Sequence, residues 1–113
     1  MESILTSIKK LLGISEDYTQ FDQDLVMHIN SALMVLNQLG IGPADGLFIE
    51  DSGTYWEDLL EGETNLELVK SYVYLKVKLL FDPPLSSAVI ESTNRMISEF
   101  EWRLCSAAEV KEG

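Results

Sequence analysis

The sequence Asp82-Pro83-Pro84 separates two long segments of helical periodicity, and it constrains the fold more than any other feature. Proline lacks a backbone N–H and disfavours helical geometry in the residue before it, so a helix has to end here. Apolar residues recur at helical spacing over residues 65–81 and again from about residue 87 to residue 108. Two helices joined by so short a connection predict an antiparallel helical hairpin.

Two further helices are predicted before this break. Residues 3–12 form a short amphipathic helix that Gly13 caps, and residues 21–39 carry an apolar stripe that ends at the glycine-rich segment 40–43. Residues 41–53 then form a connection that is longer than usual. Within it, the apolar residues 47–49 predict a short extended segment tucked beneath the core. Thr54, with Glu57 three residues later, has the pattern of a capping box for a helical turn over residues 54–60.

These elements predict an all-α fold: a small single-domain helical bundle of about four main helices in two hairpins, plus a short helical turn and a long acidic loop. A chain of 113 residues provides for one domain, and 46% hydrophobic residues suffice for its core. The domain spans residues 1–113, with an amphipathic N-terminal helix in residues 1–13 and a flexible tail in residues 108–113. The predicted buried stripe of the last helix consists of Val89, Thr93, Met96, Ile97, Phe100 and Leu104.

The net charge of −11 is concentrated in one segment of the chain. No Lys or Arg lies between Lys10 and Lys70, whereas 12 of the 19 acidic residues do. Such a chain lacks the clustered bases that grip DNA, RNA or an anionic membrane. The acidic residues therefore either keep the surface solvated or meet a basic partner.

No residue pattern in the sequence indicates a catalytic, cofactor-binding or metal-binding site. The single histidine, His28, and the single cysteine, Cys105, are too few for a zinc site and define no catalytic dyad. The acids of residues 50–53 do not follow the EF-hand register, which leaves an irregular divalent-ion site as the alternative. One cysteine, no recognisable signal peptide and no apolar run of about 20 residues predict a cytoplasmic product that does not enter a membrane.

The remaining features concern single side chains. Trp56 lies in the apolar face of its turn, which favours a place in the core. Trp102 lies off the apolar stripe of the last helix, and both packing and a partner interface remain open for it. Two i,i+4 ion pairs are expected on the last helix, Glu91 with Arg95 and Glu99 with Arg103.

Several segments of the chain resemble one known family. They are residues 72–84, which end in Lys78-Leu79-Leu80-Phe81-Asp82-Pro83-Pro84, then Ser86-Ser87, residues 99–104 with Glu101-Trp102-Arg103-Leu104, the segment Leu47-Phe48-Ile49 and the turn at residues 54–59. Together they resemble the head–tail connector (adaptor) proteins of tailed phages and prophages of Gram-positive bacteria. The resemblance covers most of the chain from about residue 14 to residue 104.

This resemblance implies a structural protein without enzymatic activity or cofactor, which assembles as a ring of about twelve copies beneath the portal protein of a filled capsid. The ring would extend the channel through which DNA passes without specific binding. It would also offer a docking platform to a downstream head-completion or tail protein. The expected location is the virion neck after assembly and the bacterial cytoplasm during synthesis.

The resemblance and the charge distribution together indicate contact residues. A ring needs two different faces on each subunit, and the separation of acids from bases along the chain provides them. Subunit or lumen contacts are expected at Asp45, Glu50, Asp51, Lys70, Lys76, Lys78 and Arg95. Portal contacts are expected at Trp102, Arg103, Leu104 and the tail that follows.

Two other classes of function remain open at this point. An acidic helical regulatory or protein-binding domain, such as an antitoxin or a DNA mimic, would use the same charge to bind a basic partner as a monomer or dimer. A small enzyme would need a concave pocket with a perturbed acid or base, which nothing in the sequence indicates.

Overall fold

The computed structural model describes residues 2–112, with side chains through residue 109. Its helices are α1 (Ile4–Leu12), α2 (Asp22–Gln38), α3 (Trp56–Leu59), α4 (Leu66–Phe81) and α5 (Ser87–Glu112). No strand occurs within this range, in which Ser3 and Tyr55 form an isolated β-bridge. The prediction of an all-α fold with four main helices and one short helical turn is therefore confirmed.

Helix α1 has the predicted ends and docks on the rest of the chain. The Ser3 hydroxyl accepts a hydrogen bond from the Thr6 backbone N–H at 3.3 Å, and Gly13 ends the helix in the left-handed conformation at φ +80°. The helix buries apolar side chains, and the Ile4 backbone N–H donates to the Thr54 carbonyl at 3.0 Å. The chain leading into α1 is thereby tied to the start of α3.

Helix α4 is the central element of the bundle. It packs against α1, α2 and α5, and it buries Val69, Tyr72, Val73 and Val77. Such burial on several sides is what the wide apolar arc of its sequence predicts. At its C-terminal end the Phe81 ring packs edge-on against Phe21, which precedes α2, with ring centroids 5.2 Å apart.

The long connection after α2 has a defined conformation over residues 47–49. Leu47 and Ile49 are buried, and Phe48 between them is 61% exposed. Alternate side chains of an extended segment point in opposite directions, which explains this pattern. The prediction that this segment is tucked beneath the core is confirmed for Leu47 and Ile49, whereas Phe48 faces solvent.

The capping box predicted at Thr54 is wrong. Helix α3 begins at Trp56 with Tyr55 as its N-cap residue, and no side chain caps it. The backbone here is held from outside the turn, because the Trp56 N–H donates to the Glu2 carbonyl at 3.1 Å. Tertiary pairing with the chain before α1 replaces the local cap.

Helix α5 differs from the prediction in burial. Ile97 and Leu104 are buried as expected, but Val89 and Met96 are 49% and 44% exposed. The helix has 26 residues and packs mainly against α4, which has 16. At 1.5 Å per residue the two are about 39 Å and about 24 Å long, so part of α5 has no helix to pack against.

The predictions for the two ends of the chain are only partly tested by the structure. Helix α5 continues to Glu112, beyond the predicted end near Ala108, and Ala108 itself is buried. Flexibility of residues 108–113 stays a prediction. Residues 1 and 113, which belong to the predicted N-terminal segment and tail, lie outside the described residues.

Candidate interaction surfaces

The described part of the chain brings together no set of groups that suggests catalysis. Among the described side chains, no group of three or more His, Cys, Asp or Glu residues could hold a metal ion. His28 on α2 and Cys105 on α5 are both half-buried, and within the described range no hydrogen bond joins them. None of the helices in residues 2–112 has both the length and the apolarity to span a membrane.

The acidic segment forms an exposed surface. Ten of the 12 acidic residues between Lys10 and Lys70 are exposed, and Asp22 and Glu63 are half-buried. Charges on neighbouring surface groups repel one another unless a basic partner or salt screens them. This surface therefore favours basic partners and disfavours close approach of DNA phosphates.

One base near this surface belongs to the core instead. The Lys9 side chain is 3% exposed, and its Nζ lies 2.9 Å from Asp22 Oδ1. The same Nζ donates to the Glu16 carbonyl at 3.0 Å. These contacts join α1, the connection after it and α2, so Lys9 stabilises the fold and is not available to a partner.

The acidic residues predicted as contacts lie in the connection between α2 and α3. Asp45, Glu50 and Asp51 are all exposed, and Asp51 Oδ1 accepts a hydrogen bond from the Gly53 backbone N–H at 2.8 Å. Glu50 and Asp51 lie beside Phe48, and together they line a shallow cleft of about 390 Å³. We call the exposed surface of Phe48, Glu50 and Asp51 the acidic loop face.

The basic residues predicted as contacts lie on different sides of α4 and α5. Lys70 Nζ lies 3.5 Å from Glu67 and 3.8 Å from Glu2, while Lys76 is half-buried. Lys78 donates to Asp82 at 2.9 Å, and this hydrogen bond raises the pKa of the Lys78 ammonium group.

Arg95 and Glu91 differ from the expected pairing. Both side chains are exposed, and no ion pair forms between them within the described part of the chain. The expected pair of Glu99 and Arg103 does form, at 2.8 Å. Arg95 is therefore left with its charge open to solvent.

The three predicted portal contacts do not form one surface. Trp102 is 70% exposed and Arg103 is exposed, but Leu104 is fully buried. Leu104 packs in the core of the bundle, so in this fold it supports α5 and offers no contact surface. The exposure of Trp102 favours the interface alternative for it, while Trp56 is fully buried as expected.

Two polar contacts between helices, one buried and one partly buried, were not predicted from the sequence. The Trp56 indole N–H donates to the Ser7 hydroxyl at 2.8 Å, which joins α3 to α1. The Tyr72 hydroxyl donates to Glu101 Oε2 at 2.7 Å, which joins α4 to α5. Burial, and then the bond to Glu101 and its negative charge, raise the pKa of Tyr72 well above its ordinary value. Residue spacing gives no signal of either pair, because each joins positions far apart in the chain.

A groove between α1 and α4 provides a second concave surface. Its volume is about 380 Å³. Lys10 and Lys70 contribute its basic groups, Glu2 and Glu67 contribute acidic groups, and Leu11 is 56% exposed beside it. We call it the α1–α4 groove, and its principal lining residues are Ser7, Lys10, Leu11, Trp56, Lys70 and Tyr74.

A comparison with protein-family models identifies the family. A model described as phage connector protein matches residues 4–111, nearly the whole chain. The chain belongs to the phage connector protein family. Searches of curated proteins and of solved structures find no match. Membership gives this connector a structural role in phage assembly.

Proposed function

We propose that this connector assembles as a ring of about twelve copies beneath the portal protein, in the neck of the virion. The match to the phage connector family over residues 4–111 is the observation that carries the proposal. The ring extends the DNA channel and provides the platform on which a head-completion or tail protein docks. The connector is structural in this proposal and performs no catalysis.

The distribution of exposed charge supports a ring around DNA. A lumen that DNA crosses must not hold the phosphates, and exposed carboxylates repel them. The acidic segment supplies these groups, with Asp45 among them, while bases that could retain DNA lie elsewhere on the chain. The acids in the segment 45–51 accordingly face the lumen or a neighbouring subunit.

The exposed side of α5 is the proposed contact with the portal protein. Trp102 provides a large apolar side chain, and Arg103 beside it provides a charge, although Glu99 pairs with it. Tryptophan and arginine are the residue types that dominate the energetics of many interfaces. The tail after residue 108 would contribute to the same contact.

Light scattering after size exclusion tests the proposal. The connector is run alone at rising concentration and then with the portal protein of the same phage. A complex whose mass equals the portal ring plus about one connector per portal subunit supports the proposal. Electron microscopy of that complex is expected to show a second ring coaxial with the portal.

A matched pair of variants tests the portal contact. Trp102→Ala is expected to weaken portal binding at least tenfold, about 1.4 kcal/mol. Leu85→Ala removes another exposed apolar side chain, which lies before α5, and is expected to leave binding unchanged. A connector that ignores the portal protein and instead binds a basic repressor as a monomer or dimer would contradict the whole proposal in favour of a DNA mimic.

A further inference from the structure

We propose that Phe48 of one connector docks in the α1–α4 groove of a second copy, where Glu50 and Asp51 meet Lys10 and Lys70. The inference rests on the proposed function, because it identifies the two faces through which neighbouring copies in the ring would meet. It follows from the shape, charge and rigidity of the acidic loop face and of the groove.

Phe48 is held in position for such a contact before any partner arrives. Its neighbours Leu47 and Ile49 are buried, and the Asn30 side chain binds both backbone polar groups of Ile49. Phe48 is thus presented to solvent by an anchored backbone. A contact made by an element that is already ordered loses little conformational entropy on docking.

The α1–α4 groove has the character of a site for an aromatic side chain. It is concave, and the exposed Leu11 and the half-buried Tyr74 give it apolar surface, with the buried Trp56 beneath. Leu11 is more than half exposed although it is a large apolar residue. A phenyl ring that entered the groove would cover this surface and gain the contacts that aromatic pairs provide.

The groove offers two lysines to the acids of the loop face, next to Glu2 and Glu67, which also line it. Among the described residues, Lys70 has only long ion pairs, at 3.5 and 3.8 Å, with the exposed carboxylates of Glu67 and Glu2, and such surface pairs contribute little. Lys10 forms no ion pair with any residue of the described chain. Both lysines can therefore turn to Glu50 and Asp51 of a partner at small cost.

The contact has to form between two copies. The cleft around Phe48 and the α1–α4 groove have no lining residue in common, and the hydrogen bonds between Asn30 and Ile49 hold the backbone beside Phe48 in place. A contact between two different faces is heterologous, and repeated rotation by a fixed angle closes it into a ring. The same contact thus explains how one chain builds a closed assembly.

Photo-crosslinking tests the inference directly. The photoreactive residue p-benzoylphenylalanine replaces Phe48, and in a control protein it replaces Met27, which is similarly exposed on α2 at 58% against 61%. Each protein is irradiated as the free connector at high concentration and in complex with the portal protein. The residue at position 48 is expected to attach to residues 7–11 or 67–74 of a second copy, and the residue at position 27 is not.

Two variants that each disable one face provide an independent test. Phe48→Ala removes the inserted side chain, and Ser71→Glu places a negative charge in the groove on an exposed position of α4. For each variant alone, the affinity of self-association is expected to fall at least tenfold. A mixture of the two retains one intact pair of faces and is expected to give a heterodimer that grows no further. Glu50→Lys added to Ser71→Glu is expected to restore part of the association.

The outcomes separate this inference from the proposed function. A connector ring on the portal whose crosslinks from position 48 map elsewhere, or do not form, overturns the inference and leaves the proposed function standing. Crosslinks from position 48 into the groove in a protein that ignores the portal uphold the inference and contradict the proposed function. Self-association of either variant that is as strong as that of the unmodified protein also overturns the inference.

Discussion

The side-chain amide of Asn30 binds both backbone polar groups of Ile49. Its Nδ2 donates to the Ile49 carbonyl at 2.9 Å, and its Oδ1 accepts from the Ile49 N–H at 2.7 Å. The amide thus pairs with the connection as a neighbouring strand would. One side chain of α2 thereby fixes the extended segment that presents Phe48.

Asn30→Ala is expected to lower the free energy of unfolding by about 1–3 kcal/mol, because both Ile49 groups lose their partner. Urea unfolding followed by circular dichroism measures this change. Hydrogen exchange at the Ile49 amide is expected to accelerate by more than the loss of global stability alone would cause. Ser31→Ala is the matched control on α2, since the exposed Ser31 hydroxyl only donates to the Met27 carbonyl within the helix. A loss no greater than that of the control would contradict the role of Asn30.

The C-terminal ends of α1 and α4 could be predicted from the sequence because local chemistry determines them. Gly13 adopts the left-handed conformation that ends α1, and Pro83 prevents continuation of α4. The capping box at Thr54 failed for the complementary reason. There the N–H groups and carbonyls pair with the chain before α1, a contact between distant positions that no local pattern contains.

The candidate surfaces were less predictable than the fold. Apolar periodicity predicts a buried stripe on α5 that includes Val89 and Met96, but both side chains are largely exposed. Leu104 was expected at a portal contact, and its burial places it within the core. Asn30 lies on the predicted polar side of α2. Neither composition nor residue spacing indicates that its side chain holds residue 49.

The two tryptophans provide a second matched pair. Trp56 is fully buried and donates to Ser7, whereas Trp102 is exposed. Trp56→Phe is expected to destabilise the fold by about 1–3 kcal/mol, through the lost hydrogen bond and the smaller side chain. Trp102→Phe is expected to change stability by no more than about 0.5 kcal/mol. Urea unfolding by circular dichroism compares them, and equal losses would contradict the assignment of Trp56 to the core.

Fluorescence of the same two proteins reports each environment separately. Emission from Trp56 in the Trp102→Phe variant is expected at shorter wavelength, because its indole is shielded from water. Emission from Trp102 in the Trp56→Phe variant is expected at longer wavelength and with stronger quenching by iodide. Identical quenching of the two variants would show that Trp102 is covered in the free connector.

Stability is expected to fall at alkaline pH through Tyr72. Burial and Glu101 raise the pKa of Tyr72 in the folded state above its ordinary value of 10.0. The stability that this shift contributes is fully present below pH 10, and it is lost as the pH rises from 10 towards the folded-state pKa. The free energy of unfolding is therefore expected to decrease more steeply above pH 10 in the unmodified connector than in Tyr72→Phe.

Urea unfolding of both proteins between pH 8 and 12 checks this expectation. The raised pKa of Lys78 affects both proteins equally and cancels in the difference between them. Ultraviolet absorbance gives a direct comparison, because Tyr72 is expected to ionise at higher pH than an ordinary tyrosine. Parallel pH profiles of the two proteins would show that the buried hydroxyl makes no such contribution.

Alanine substitutions at Gly42 and Gly13 together distinguish the cost of backbone strain from the cost of steric overlap in the connection. Their φ angles are +82° and +80°, so alanine is strained at both, by about 1–2 kcal/mol. A Cβ at Gly13 meets no atom within 4 Å, but one at Gly42 would lie 2.7 Å from Leu47 Cδ2. Because Leu47 is a buried anchor of the acidic loop face, Gly42→Ala is expected to cost a further 1–3 kcal/mol, roughly, and to displace residues 47–49. Urea unfolding gives the difference between the two variants, and faster hydrogen exchange at Ile49 in Gly42→Ala alone locates it. Equal costs would mean that the Leu47 side chain yields freely and does not anchor the connection.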